Sequence, residues 1–188
     1  IKAFLDGQLL KNGTPILYVP CAIIKFYKKI LGYSQFHYNE VTTIEDVIPN
    51  QFNVINISFE DFIVNPGEES RLSGRLALKS LDCAIYDLKH NLIDILVTLP
   101  INKKTVSFFH NNFVGHTEHL LQNFNSQHNC LMFLCSEQLK VATLTNHISI
   151  SKVADFITPD LLKEKIEILL ESLRKDFSII KPRIAVLG

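Results

Sequence analysis

Four consecutive residues, Gly115, His116, Thr117 and Glu118, carry the clearest chemical signal in the sequence. A glycine lets a ligand approach the backbone closely, and the N–H groups at the start of a helix favour an anionic group. His116 and Thr117 could then donate hydrogen bonds to a phosphate or a hydroxyl. The alternative is structural, with Thr117 capping the helix and His116 on the surface. His119 follows at a spacing that can place two metal ligands on one helix face, but no third ligand is in view, so we expect it to be exposed.

Two further candidates come after predicted strands. His147 follows a strand predicted over 139–145, at the edge where α/β proteins hold ligands and metals. A neutral imidazole there suits a metal ion, and the alternative is an ordinary loop histidine. Lys103 or Lys104 follows a strand predicted over 93–98 and could reach a phosphate as a point charge. The alternative is that both lysines are simply solvated. No nucleophile elbow or equivalent motif predicts a catalytic triad.

Charge and composition exclude several classes of protein. The 19 Lys plus Arg balance the 19 Asp plus Glu, so the chain has no excess of positive charge for nucleic acid and no basic stretch for a membrane surface. With 47% hydrophobic residues the chain is too apolar for disorder, yet its apolar runs are too short to span a bilayer. The four cysteines lack the spacing of a zinc site or a disulfide framework. Since the start does not resemble a signal peptide, we expect a soluble cytoplasmic protein that binds neither nucleic acid nor membrane.

Strand-like and helix-like patterns alternate along the chain. Predicted strands span 14–19, 53–58, 93–98, 130–135, 139–145 and 183–187. Predicted helices span 1–10, 20–32, 70–90, 116–125 and a segment that begins with Thr158 as its cap and Pro159 as its first residue. The unbroken apolar run 93–98 is typical of a strand covered on both faces. This alternation predicts an α/β fold with a largely parallel sheet.

Both ends of the chain look cut for such a fold. The last predicted strand reaches Gly188 and stops where a site loop would begin. The first predicted helix lacks the strand that would normally precede it. We therefore expect the 188 residues to belong to a longer protein.

A series of short motifs matches one enzyme family in order and in approximate spacing. The motifs are IDILVTLPINK (93–103), VGHTE (114–118), LMFL (131–134), LKVATLTNH (139–147), ISI (148–150), ITPDL (157–161) and KPRIAVLG (181–188). They resemble the corresponding segments of 4-hydroxythreonine-4-phosphate dehydrogenases, and the clear match runs from about residue 73 to residue 188.

The resemblance implies a specific reaction and fold. The family oxidises 4-phosphooxy-threonine with NAD or NADP to a 3-oxo acid, which decarboxylates to 3-amino-2-oxopropyl phosphate in pyridoxal phosphate biosynthesis. Its fold is a three-layer α/β/α arrangement related to isocitrate dehydrogenases, in a homodimer whose active site is completed by the partner. On this basis the chain is the central portion, 1–188, of a two-domain enzyme, with an internal boundary that the sequence does not locate.

The resemblance also assigns residues. His116 and Thr117 match substrate-binding positions, and His147 matches the first of three histidines that hold a divalent cation (zinc, cobalt or magnesium). Lys103 and Glu118 lie in matching motifs and are expected near the active site. The nicotinamide-binding residues and the other two metal ligands are expected beyond residue 188, so the chain alone is expected to be inactive.

Two alternatives to this function stay open. A relative with similar motifs could oxidise threonate or erythronate 4-phosphate instead. The segment could also be a non-catalytic module for binding or dimerisation that retains the scaffold.

Overall fold

Helices and short strands alternate along the chain in the computed structural model, which describes residues 1–5, 7–58, 63–110, 113–124 and 130–187. The chain divides into two compact units, Ile1–Leu120 and Leu121–Gly188, and each is described by itself. The elements that begin in the first unit are α1 (Lys2–Leu5), α2 (Gln8–Asn12), β1 (Ile16–Tyr18), α3 (Cys21–Ile30), β2 (Asn39–Val41), a 3₁₀ helix (Ile44–Asp46), β3 (Asn53–Ile55), α4 (Arg71–Lys89), α5 (Lys103–Ser107) and α6 (His116–Asn123). Those of the second unit are β4 (Met132–Cys135), β5 (Lys140–Thr143), a 3₁₀ helix (Ile150–Lys152), α7 (Val153–Phe156) and α8 (Pro159–Lys175).

A parallel three-stranded sheet of order β1-β3-β2 organises the first unit. All three residues of the central strand β3 are buried, including Asn53 at 1% exposure. A buried amide must be paired, and Asn53 donates to the carbonyls of Ile48 (2.9 Å) and Gln51 (2.8 Å) while its own oxygen accepts from the Ile48 N–H (3.0 Å). The predicted strands over 14–19 and 53–58 are thus confirmed in shorter form, and the parallel sheet confirms the α/β class.

Two apolar clusters stabilise the first unit. One surrounds the sheet and is formed by Cys21, Ile24, Phe36 and Val54. The other joins α4 to α5 and to the approach to α6, and is formed by Leu78, Leu81, Ile85, Val106 and Phe113. The second cluster therefore fixes the elements that carry the candidate site residues of this unit.

Helices α4 and α5 approach each other closely because the contact residue on α4 is a glycine. Gly74 is buried, and a Cβ atom added there would collide with the carbonyl oxygen of Thr105 and lie 2.5 Å from its carbonyl carbon and 2.9 Å from the N of Val106. Only a residue without a side chain fits at this crossing.

The antiparallel hairpin β4–β5 begins the second unit. Met132 pairs with Thr143 and Cys135 with Lys140, so the two predicted strands are adjacent but do not extend a parallel sheet. Helix α8 begins as predicted, since the Thr158 hydroxyl accepts from the Leu161 N–H at 3.2 Å and Pro159 occupies the first turn.

Two predicted strands are wrong. Segments 93–98 and 183–187 are not strands. Several of their apolar side chains are exposed, with Ile95 and Val97 each at 78% and Leu187 at 92%, although Leu96 packs against the cluster on α4. An apolar run shows only that residues suit a sheet, whereas a strand also requires a partner, and neither segment has one among the described residues.

The boundaries of other predicted helices are also corrected. The helix predicted over 1–10 is two short helices, separated by Gly7 in the left-handed region at φ 68°. The helices over 70–90 and 116–125 are confirmed as α4 and α6, although Asn125 lies outside the described residues, as does Gly188. No helix in the described part of the chain is both long and apolar enough to cross a membrane.

Candidate functional site

The first turn of α6 presents the Gly115–Glu118 motif. Gly115 is buried, and its carbonyl accepts the His119 N–H at 3.1 Å, which closes the turn. His116 is half-buried and Thr117 is exposed. Since the helix begins at His116, Thr117 is its second residue and not its cap. A capping role for Thr117 does not match this helix start, and Thr117 is exposed beside it.

Lys103 and Glu118 come together at Gly115. A Cβ atom added to Gly115 would lie 3.2 Å from Oε2 of Glu118 and 3.3 Å from both Cε and Nζ of Lys103. The absence of a side chain at Gly115 thus leaves the space that the two charged groups occupy. The structure brings together Lys103, Glu118 and the start of α6, three features that the sequence only placed in separate motifs.

Neighbouring contacts distinguish Lys103 from Lys104. The side chain of Asn102 accepts the Thr105 N–H at 3.1 Å and caps α5, so the two lysines begin the helix and diverge. Lys104 pairs with Glu69 at 2.5 Å, and that contact lowers the pKa of the Glu69 carboxyl. Lys103 instead lies beside Gly115. Residue types alone left the two lysines as alternatives and the resemblance indicated Lys103, which is the one beside Gly115.

The surroundings of His116 favour its neutral form. Burial lowers the pKa of His116, and the nearby His119 and Lys103 lower it further. Burial and positive neighbours both disfavour an imidazolium ion. At neutral pH His116 is therefore a neutral hydrogen-bonding group that can donate from one ring nitrogen and accept at the other.

His119 is buried, so the expectation that it is exposed is wrong. It is 9% exposed, and its Nε2 lies 2.6 Å from Oδ1 of Asp82 on α4. Sequence reasoning missed this pair because its residues are 37 positions apart. The one local hint in the sequence is the apolar pair that directly follows His119, Leu120 and Leu121, of which Leu120 packs against the apolar cluster in the structure.

His147 lies in the second unit, beyond the end of β5. It is exposed and has a positive φ of 53°, which is uncommon for a residue with a side chain and recurs at functional sites. Just before it, Thr143 donates to the side-chain oxygen of Asn146 at 2.6 Å. The described residues contain no group of three or more His, Cys, Asp or Glu side chains arranged to hold a metal ion.

Comparisons with known proteins agree on one family. The family model described as pyridoxal phosphate biosynthetic protein PdxA matches residues 11–188. The 4-hydroxythreonine-4-phosphate dehydrogenase of Bacteroides thetaiotaomicron is 34% identical over 188 residues, which are 100% of this chain and 51% of that protein. The enzyme of the same name from Sulfurihydrogenibium sp. (strain YO3AOP1) is 28% identical over 178 residues, covering 95% of this chain and 54% of that protein.

Solved structures show the same fold. The 4-hydroxythreonine-4-phosphate dehydrogenase of Burkholderia phymatum matches with a TM-score of 0.74 at 22% identity, over 90% of this chain and 51% of that one. The Klebsiella pneumoniae protein of that name matches with a TM-score of 0.72 at 22% identity, over 89% and 50%. The chain thus spans about half the length of the relatives that it matches.

Proposed function

This chain belongs to the PdxA family of pyridoxal phosphate biosynthetic proteins, and we propose that it forms part of an NAD(P)-dependent 4-hydroxythreonine-4-phosphate dehydrogenase. The proposed reaction oxidises 4-phosphooxy-L-threonine to a 3-oxo acid, which loses carbon dioxide to give 3-amino-2-oxopropyl phosphate. The observation that carries the proposal is that Lys103 and Glu118 both lie beside Gly115 at the start of α6, in a chain with this family membership. A cytoplasmic homodimer with a shared active site is part of the same proposal.

The start of α6 supplies the groups for binding a phosphorylated hydroxy amino acid. The N–H groups of a first helical turn favour an anion, and the exposed Thr117 hydroxyl adds a donor beside them. Lys103 adds positive charge at Gly115. The neutral ring of His116 can accept a proton from a substrate hydroxyl or donate a hydrogen bond to an oxygen. These residues would therefore bind and orient the substrate.

The hydride chemistry belongs to the nicotinamide, which accepts the hydride from the substrate carbon when it is bound. The protein's contribution is to hold the reacting carbon and hydroxyl in place. We assign no residue of this chain to cofactor binding.

We propose His147 as one ligand of a divalent cation that would polarise the substrate oxygen. The donor fits in type, since an exposed imidazole suits zinc or cobalt better than magnesium. One histidine cannot hold such an ion tightly. Because the described residues contain no cluster of three candidate ligands, the proposal requires further ligands from outside them.

The test is steady-state kinetics on the protein encoded by the complete open reading frame that contains these residues. The absorbance of reduced nicotinamide is followed with 4-phosphooxy-L-threonine, with erythronate 4-phosphate and with threonate 4-phosphate. The proposal expects the highest kcat/KM with the first substrate. Preference for a sugar-acid phosphate would replace it with the related activity, and no turnover with any of them would favour a non-catalytic module.

Two variants test the assigned residues. His116→Ala and Thr117→Val each remove one substrate hydrogen bond, so kcat/KM should fall roughly 10- to 100-fold. The matched control is His37→Ala, which removes another histidine of the first unit that is exposed and has no proposed role. Equal losses in the control and in His116→Ala would contradict the assignment.

A further inference from the structure

We propose that Asp82 and His119 form a positioning pair, which ties the first turn of α6 to α4 and so fixes where His116 and Thr117 lie. This inference rests on the proposed function, because it concerns the residues proposed to bind substrate. It adds two residues that touch neither substrate nor cofactor in the proposal and that act through their neighbours.

One residue, His119, makes two contacts at the start of α6. The His119 backbone N–H bonds to the Gly115 carbonyl at 3.1 Å and closes the first turn. Its side chain, through Nε2, lies 2.6 Å from Oδ1 of Asp82 on α4. Along the chain, His116 and Thr117 lie between Gly115 and His119, the two residues that this turn joins. A shift of the His119 ring would therefore be transmitted to both.

The surroundings of the ring make the pair costly to break. His119 is 9% exposed, and its ring centroid lies 5.6 Å from that of Phe113 and 6.3 Å from that of His110. Phe113 itself belongs to the apolar cluster built on α4. The Asp82 side chain is 50% exposed, so the buried end of the contact is the His119 ring. Loss of the Asp82 carboxylate would remove one partner of that buried ring nitrogen, which costs more than replacing both partners with apolar groups.

The pair also lies in electrostatic contact with the site. His119 and Lys103 both contribute to lowering the pKa of His116. Glu118, on the same helix, lies beside Gly115, as does Lys103. A change in the position of His119 would thus alter the charge environment of His116 as well as its geometry.

The test compares four variants of the full protein: Asp82→Ala, Asp82→Asn, His119→Phe and the double variant Asp82→Ala/His119→Phe. Phenylalanine preserves a ring beside Phe113, and asparagine preserves an oxygen that can accept from Nε2. We expect Asp82→Ala to raise the KM for the phosphorylated substrate about 10-fold, the effect of one hydrogen bond, with a smaller change in kcat. Asp82→Asn should restore most of the affinity.

A matched control lies on the same helix. Asp87 accepts a hydrogen bond from the Tyr18 hydroxyl at 2.7 Å. The double variant Asp87→Ala/Tyr18→Phe therefore removes a comparable carboxylate hydrogen bond, one that joins α4 to β1 and not to α6. It should leave KM unchanged. If this control raises KM as much as the Asp82 variants, their effect is general destabilisation and the inference is wrong.

Hydrogen exchange at the His119 amide gives a readout that does not depend on activity. Exchange should accelerate in Asp82→Ala and not in the Asp87→Ala/Tyr18→Phe control. If Asp82→Ala does not fold, the double variant Asp82→Ala/His119→Phe takes its place, because both of its partners are apolar. It also lacks the pair, so exchange at the amide of residue 119 should accelerate in it as well. Unchanged exchange and unchanged KM in the Asp82 and His119 variants would overturn the inference. If the unaltered protein shows no dehydrogenase activity the proposed function fails, while the exchange comparison still decides whether the pair holds the turn.

Discussion

Substituting Gly74 by alanine should separate α4 from α5, the helix that carries Lys103. In an ordinary helix interior this change stabilises, because alanine is favoured over glycine by about 1 kcal/mol. Here the added Cβ would collide with the carbonyl oxygen of Thr105 and approach its carbonyl carbon to 2.5 Å. The obstacle is backbone, which cannot rotate away as a side chain would. Helix preference therefore predicts that Gly74→Ala raises the free energy of unfolding, whereas the contact with α5 predicts that it lowers it.

The size of the effect follows from the two contributions. Overpacking a tight core costs about 1–3 kcal/mol and occasionally more, and a collision with main-chain atoms belongs at or above the upper end. After the gain in helix preference, the net loss is about 2 kcal/mol. For a chain of this length that loss corresponds to a decrease in Tm of roughly 4–8 °C.

Thermal and urea unfolding of the protein and its Gly74→Ala variant measure this loss. The control is Ala77→Gly in the same helix, where a half-buried alanine reports the intrinsic difference, about 1 kcal/mol. A second readout is the KM for phosphorylated substrate, which should rise because Lys103 moves with α5. If Gly74→Ala is as stable as the original or more so, the close α4–α5 contact does not exist and the reasoning is refuted.

Two further predictions concern titrating groups. Burial, followed by the nearby Glu40, raises the pKa of the Cys21 thiol to about 12. At pH 8 the Cys21 thiol is therefore almost entirely protonated, and it is also buried. Iodoacetamide should label the exposed Cys135 and leave Cys21 unmodified until the protein unfolds. Comparable labelling rates for the two cysteines would contradict this. Because the pKa of His116 is lower in the folded state, the unfolded state binds more protons and stability should fall as the pH drops below about 6.5. Replacing Lys103 by methionine removes one of the positive charges that lower the pKa of His116, so the midpoint of the His116 titration followed by NMR should rise. A lower midpoint would refute the assigned proximity of Lys103 and His116.

Local signals in the sequence were sufficient for the helices that carry their own boundaries. Helix α8 is predicted by the Thr158 cap and Pro159, and both act as expected. Helix α4 is predicted by apolar residues at steps of three and four, and Ser70 caps it by accepting from the Ser73 N–H at 3.0 Å. These features depend on residues within one or two turns, so a single sequence contains all the information they need.

Features that depend on distant partners could not be predicted in this way. Strand β2 has the sequence Asn-Glu-Val, which lacks a run of β-branched residues and is a strand only because it pairs with β3. Segment 93–98 has the opposite character, with strong strand composition and no partner among the described residues. A residue composition that favours strands is thus neither necessary nor sufficient for a strand to form, because hydrogen bonds with a neighbouring strand define the element.

The candidate site shows the same division between local and distant information. The sequence identified the start of α6, and its residue types alone left Lys103 and Lys104 equivalent, while the family resemblance indicated Lys103. The choice is made by Glu69, which pairs with Lys104 from another part of the chain. Residue types in the sequence therefore indicate which side chains could act at the site, and the ion pair of Lys104 with Glu69 in the folded chain shows which lysine is held elsewhere.

The zero net charge of the chain is compatible with a phosphorylated substrate because the site's charge is set locally. Lys103 and Glu118 both lie beside Gly115, so groups of opposite charge are near each other there. A phosphate that approaches Lys103 also meets the negative Glu118 carboxylate nearby, which weakens nonspecific attraction of anions. Tight binding then requires the directional donors at the helix start, Thr117 and the backbone N–H groups, to act together with Lys103. Such a site would distinguish between anions by their shape, because an anion that does not reach the donors at the helix start gains little binding energy from Lys103 alone.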